Sequence, residues 1–218
     1  MSVVVKDSNV PLTERLRPQR LQDLTLPEKE SRHLQKMFDT QTPMHMLFYG
    51  PPGSGKSSAG RIFVKARGPY GTYIIDGSLE TGIENVRTNV ERFASTMPFT
   101  PGLKICFIDE ADYLSSNAQA SLRGVIERFA SSCRFIMTAN DIGKLMPAIR
   151  SRLLPISFYI NVADRPAIVA RMQVRLAERL RELEIPFDAA RLNQIVATYF
   201  PDLRQVISQL DYEFCYHT

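Results

Sequence analysis

Residues 50–57 read GPPGSGKS: a glycine, four residues, a second glycine, then lysine and serine. Those residue types at that spacing suit a chain of phosphates. Gly53 and Gly55 can take backbone angles closed to other residues, so that successive N–H groups turn inward toward anionic oxygens. A helix opening where the loop ends adds the positive end of its dipole. Lys56 then reaches the β and γ phosphates, and Ser57 offers a hydroxyl to Mg²⁺. Gly50, Pro51, Pro52, Ser54 and Ser58 complete the expected nucleotide-binding set.

A second group stands at Asp109 and Glu110, directly after the apolar run LKICFI. In an open parallel sheet, ligands lie at the carboxyl ends of the strands. Asp109 is expected in the Mg²⁺ shell, and Glu110, pointing to the other side, is expected to polarise the attacking water. Two acids at a strand end are commonly a solvated turn. Paired with the phosphate loop upstream, they read as an ATPase. Asp109, Glu110, Ala111 and Asp112 also spell the signature of RNA-unwinding helicases. Such enzymes carry AxTGSGKT in the loop, Ser-Ala-Thr after the next strand, and a second recombinase-like domain. Here the loop is GPPGSGKS, the triplet is Thr138-Ala139-Asn140, and too little chain follows to build that domain. The helicase reading is set aside, and Ala111 and Asp112 are given little weight.

These groups need elements to hold them. Short apolar runs alternate with longer amphipathic stretches, the pattern of strands joined by helices in a mostly parallel sheet. Strands are expected at 44–50, 72–76, 103–109, 134–140 and 153–160, and helices at 55–67, 83–95 and 116–130. The runs are apolar throughout rather than alternating, as in strands covered by helices on both faces. Beyond about residue 163 the strand pattern stops. Helical segments follow at 164–184, 188–199 and 201–214, punctuated by Pro186 and Pro201. The expected organisation is α/β: a nucleotide-binding domain over 1–162, with a five-stranded parallel sheet between helices, then a small helical lid domain over 163–218.

Composition narrows the classes further. The 218 residues are 44% hydrophobic, enough for a real core, and the net charge is only +4. Of the 27 basic residues 20 are Arg, the side chain suited to bidentate phosphate contacts, which permits a nucleic-acid partner without requiring one. Cys106, Cys133 and Cys215 form neither a CxxC pair nor a His cluster, so no zinc site or disulfide framework is indicated. No apolar run approaches membrane-spanning length and the N-terminus lacks a signal-peptide layout. A soluble, cytoplasmic protein is expected, or a nuclear one in a eukaryote.

The stretch IDEADYLSSNAQASLRGVIERF (108–129) is similar over its whole length to the replication factor C small subunits, the clamp-loader branch of the AAA+ P-loop ATPases. Ser151-Arg152-Leu153 stands where that family has Ser-Arg-Cys, and Leu153 is the departure. ERLRPQRLQDL (14–24) looks like the family segment that lies against adenine. YFPDLRQVISQLD (199–211) looks particularly like the large clamp-loader subunit of T-even-type phages.

The resemblance implies roles that spacing leaves open. Asn140 corresponds to sensor 1 beside the γ phosphate, and Arg204 to sensor 2 on the lid. Arg152 corresponds to the arginine finger acting on a neighbour's ATP, with Arg150 as the alternative. Pro11 and Arg17 would line the nucleotide. Gly82, Ile83, Arg87, Ser115 and Ser116 would meet DNA phosphates without reading bases, and Gln119 and Arg123 could couple that contact to Glu110. The implied activity is ATP-driven loading of a sliding clamp onto primer-template DNA, with other loader subunits as partners. A nucleotide-gated scaffold that does not hydrolyse, and a loader of a helicase ring, are the alternatives. Family subunits continue into a helical collar that this sequence lacks, so the chain alone is expected to be monomeric or weakly assembled.

Overall fold

The computed structural model describes residues 10–40, 43–79, 83–97 and 102–215, with the side chains of 83–86 outside that description. Its described residues fall into two compact units. One is Gln19–Tyr159; the other joins the N-terminal segment ending at Pro18 to Ile160–Thr218.

The first unit is built on five parallel strands, β1 (Met46–Tyr49), β2 (Thr72–Asp76), β3 (Lys104–Asp109), β4 (Cys133–Ala139) and β5 (Leu154–Ser157), in the order β2-β3-β4-β1-β5. Helices α2 (Glu28–Asp39), α3 (Lys56–Arg67), α4 (Ile83–Ser95), α5 (Ser116–Arg128) and the short α6 (Pro147–Arg150) surround it, while α1 (Leu12–Arg15) belongs to the second unit. Alternate residues of each strand feed opposite cores. Leu47, Cys106, Ile108, Phe135 and Met137 pack with Val90 of α4 and Leu122 and Val125 of α5. Met46, Phe48, Ile105, Phe107 and Ile136 pack with Leu34 of α2 and Ala59, Ile62 and Phe63 of α3. The central strands β1, β3 and β4 are buried on both faces, which is why their runs are largely apolar without alternation.

The strands lie where the apolar runs predict them, with ends trimmed. The largest difference is β5, four residues instead of the 153–160 expected. It is an edge strand carrying Pro155, whose missing N–H suits an edge. Helix α2 has no counterpart in the sequence reading. Its segment EKESRHLQKMFD is mostly charged, and only Leu34, Met37 and Phe38 face the core. Lys104 is a buried cation at the start of β3, 1% exposed. Its ammonium donates to the carbonyls of Phe93 and Thr96 at the end of α4 and lies 4.9 Å from the Phe93 ring centroid. Carbonyls left open at a helix C-terminus are natural partners for a cation, while burial lowers its pKa from the ordinary lysine value.

The second unit packs α7 (Arg165–Glu182), α8 (Ala189–Tyr199) and α9 (Leu203–Cys215) with α1 (Leu12–Arg15). Leu12 and Leu16 are buried among Ile168, Met172, Val206 and Leu210. Arg175 and Arg179 of α7 donate to the carbonyls of Leu16 and Arg15. The sequence division placed residues 1–162 in one domain. By contacts the described residues 10–18 group with the helical unit, because Leu12 and Leu16 are spent in that core.

Gly60 marks the tightest approach of α3 to the sheet: a Cβ there would lie 2.2 Å from Cε2 of Phe107. Gly124, in α5, would meet nothing within 4 Å. The same glycine-to-alanine change should therefore have opposite signs. Gly124→Ala should raise the unfolding free energy by about 1 kcal/mol through helix propensity. Gly60→Ala should lower it, since overpacking of about 1–3 kcal/mol exceeds that gain. Urea unfolding of the two variants checks this.

Candidate active site

The loop after β1 turns through positive φ at Gly53 (73°) and Gly55 (95°), conformations that penalise any side chain. Gly55 is the left-handed residue from which α3 starts, so the loop feeds directly into a helix N-terminus. Lys56 is 6% exposed and donates to the carbonyl oxygens of Gly50 (2.8 Å) and Pro51 (2.7 Å), drawing its cation across the loop. Ser54 is buried too, and its Oγ has no hydrogen-bond partner among the described residues. A cation, a helix start and an orphan hydroxyl in one turn fit a polyphosphate.

Behind the loop stands Asp109, the last residue of β3. Its Oδ1 accepts the hydroxyl of Ser57 at 2.8 Å and that of Thr138, in β4, at 2.6 Å. Thr138 Oγ1 in turn accepts the backbone N–H of Glu110 at 2.8 Å. One chain of hydrogen bonds thus runs from Ser57 through the Asp109 carboxylate to Thr138 of the neighbouring strand and on to the backbone of Glu110. The carboxylate beside the Ser57 hydroxyl is a hard oxygen donor set suited to Mg²⁺. Glu110 is held at φ 53°, ψ 45°, left-handed for a residue with a Cβ. Such strain persists where the surroundings over-determine it, and it turns the chain sharply after β3, separating the two carboxylates.

Sequence reasoning missed Asp112. It is 7% exposed, and its Oδ2 accepts the backbone N–H groups of Asn140 and Asp141, each at 3.1 Å. Its position in a four-letter signature told nothing of this, because the partners are backbone amides a strand away. Gln119 was expected to relay DNA contact. It is 3% exposed, donates to the carbonyls of Leu114 and Lys144 and accepts from Met146 N–H, fixing the start of α5 to the segment after β4.

The family model described as "ATPase family associated with various cellular activities (AAA)" matches residues 46–161, from β1 to beyond β5. The chain belongs to that family. Among curated proteins it is 32% identical over 211 residues to the probable replication factor C subunit 5 of Dictyostelium discoideum, covering 93% of this chain and 58% of that protein. It is 40% identical over 168 residues to the replication factor C small subunit of Methanocella arvoryzae, covering 73% and 52% respectively. The chain thus spans between half and two thirds of the length of these relatives. Among solved structures, a Thermotoga maritima RuvB variant superposes with a TM-score of 0.70 at 17% identity, covering 89% of this chain and 63% of that one, a likeness of fold.

Within this AAA unit the remaining predicted residues separate. Asn140 sits at the tip of β4, half-buried, with its backbone on Asp112. Arg152 is paired with Glu127 of α5 in its own chain, Nε to Oε1 at 2.8 Å, and also donates to the Ala148 carbonyl. That pairing lowers the Glu127 pKa below the ordinary carboxylate value. Arg150 is half-buried, and its Nε has no partner among the described residues. Ser115 is the N-cap of α5, its Oγ accepting from Ala118 N–H at 3.2 Å, and Ser116 and Arg123 are exposed on that helix. Arg87 is exposed and pairs with Glu91 at 3.5 Å. Gly82 lies outside the described residues, as does the side chain of Ile83. In the helical unit, Pro11 caps α1, Arg17 pairs with Glu14, and Arg204 lies exposed in the first turn of α9.

Thr138 is the joint of this network, 1% exposed and bonded to both acids. Thr138→Val keeps the shape but removes the acceptor of the Glu110 N–H and a donor to Asp109. ATP turnover should fall about 10-fold or more, while nucleotide affinity changes less than about 3-fold. Steady-state hydrolysis beside a fluorescent-nucleotide titration reads both.

Proposed function

We propose that this chain binds and hydrolyses ATP as a subunit of a clamp loader, using the hydrolysis cycle to open a sliding clamp and place it on primer-template DNA. The single observation that carries the ATPase part is the Ser57–Asp109–Thr138–Glu110 chain of hydrogen bonds behind the phosphate loop. The clamp-loading part is supported by the replication factor C names of the relatives.

The proposed division of labour joins the geometry of the phosphate loop and Asp109 to the roles the family resemblance implies. Backbone N–H groups of 53–57 and the Lys56 ammonium cradle the phosphates, with Gly50, Pro51 and Pro52 shaping the loop, and Ser58 in the first turn of α3 adds to that end. Mg²⁺ held by Ser57 and Asp109 would neutralise charge shared by the β and γ phosphates. Glu110 orients and deprotonates the attacking water, and Asn140 aligns that water with the γ phosphate. Pro11, Arg17 and Arg204 are carried over from the family resemblance as further nucleotide contacts. Arg152 serves a neighbouring subunit's ATP, where a cation stabilises the charge developing on the transferred phosphoryl. Reaching a neighbour requires it to leave Glu127. Backbone amides and side chains at Gly82, Ile83, Arg87, Ser115 and Ser116 meet DNA phosphates. The wording of 199–211 further suggests a phage-type loader, although the curated relatives above are eukaryotic and archaeal.

ATP hydrolysis measured with primed DNA, a sliding clamp and the remaining loader subunits tests this reading. Turnover should be stimulated in that assembly and should fall about 100-fold or more in Glu110→Gln, the scale of a lost general base, with ATP binding retained. A rate unaffected by Glu110→Gln would point instead to a scaffold that binds nucleotide without hydrolysing it.

A further inference from the structure

Asp112 is almost wholly buried yet keeps its carboxylate against the strand next door. One oxygen accepts two consecutive backbone N–H groups, those of Asn140 and Asp141. The other, Oδ1, has no hydrogen-bond partner among the described residues. A core position gains nothing from such a group: a buried carboxylate is costly unless its bonds compensate. Its two amide bonds bear on one place, the turn that carries the Asn140 carboxamide.

That turn is otherwise held from the opposite side. Thr138, two residues before Asn140, is bonded to Asp109 and Glu110. The backbone beyond it curls into an Asp141 Oδ1–Gly143 N–H turn of 2.8 Å. Ala139 is the last strand residue, and its partner in β1 is Tyr49, immediately before the phosphate loop. Asn140 therefore leaves the sheet at the point nearest that loop, and its direction of exit is set by the carboxylate three residues beyond Asp109. With its backbone N–H engaged by Asp112, the loop is fixed without using the Asn140 side chain.

We infer that Asp112 is a positioning residue for hydrolysis, acting through Asn140 by clamping its backbone so that the carboxamide faces the γ phosphate beside Glu110. The inference rests on the reading of Asn140 given above. The acidic turn after β3 then contributes three carboxylates with three tasks: Asp109 toward the metal, Glu110 toward water, and Asp112 toward the backbone that aims the third polar group.

The test is a cycle of variants of the 218-residue chain: Asp112→Ala, Asp112→Asn, Asn140→Ala and Asp112→Ala with Asn140→Ala. Single-turnover ATP hydrolysis, fluorescent-ATP affinity and amide hydrogen exchange are read in each. Asp112→Ala should slow hydrolysis about 10-fold with ATP affinity within about 2-fold, and Asp112→Asn, which keeps an acceptor oxygen, should slow it less. In the Asn140→Ala background, Asp112→Ala should add less than about 2-fold. Exchange at the Asn140 and Asp141 amides should speed up at least about 10-fold in Asp112→Ala, while the β4 amides stay protected. A full, independent effect of Asp112→Ala on top of Asn140→Ala overturns this proposal alone. So does unchanged exchange at the two amides, a readout that needs no turnover. An Asn140→Ala chain as fast as wild type removes the sensor reading and this proposal together.

Discussion

The carboxylate of Asp109 is where the architecture converges. It is 8% exposed, and its hydrogen-bond donors come from two other elements: Ser57 at the first turn of α3 and Thr138 near the end of β4. This meeting is possible because β1, β4 and β3 are parallel neighbours whose carboxyl ends lie level. Tyr49 pairs with Ala139, and Ile108 with Met137, so one further residue brings Asp109 alongside Thr138. Had any strand slipped by one residue, its side chains would have exchanged faces. The donors would then point into a hydrophobic layer. Register, enforced by two dry cores, is therefore what makes the site.

The same constraint accounts for the local strain. After β3 the chain turns at Glu110 with positive φ, and the residues after it enter a short 3-10 turn that buries Ala111 and Asp112. A side-chain bond from Thr138 to the Glu110 N–H holds that turn from one side, and the Asp112 bonds to Asn140 and Asp141 hold it from the other. Asp109 and Asp112 each have their own donors, the hydroxyls of Ser57 and Thr138 for the first and the backbone N–H groups of Asn140 and Asp141 for the second. Rigidity here is a property of the network, with no single bond responsible for it.

Much of this was legible in the sequence because the signals were local. GPPGSGKS carries its loop geometry in its glycines, and a strand buried on both faces shows as an unbroken apolar run such as LKICFI. What was not legible depended on contacts distant in the chain. Helix α2 escaped because a helix needing only Leu34, Met37 and Phe38 for its core face looks like a polar loop. Leu12 and Leu16 gave no sign that their partners lie beyond residue 160. Asp112 seemed a leftover letter because its partners are backbone amides, which no residue type announces. Arg152 was legible as a candidate finger by resemblance alone; that Glu127, 25 residues before it, would hold it in the same chain was not.

The central claim to test is that Asp109 and Ser57 together would hold Mg²⁺ beside a bound nucleotide. Titrating Mg²⁺ into the chain saturated with a non-hydrolysable ATP analogue, for wild type and for Asp109→Asn, measures this directly. Asp109→Asn should weaken Mg²⁺ binding to the nucleotide complex at least about 10-fold, with affinity for the metal-free analogue unchanged. Equal Mg²⁺ affinity in the two proteins would show that Asp109 does not hold the metal.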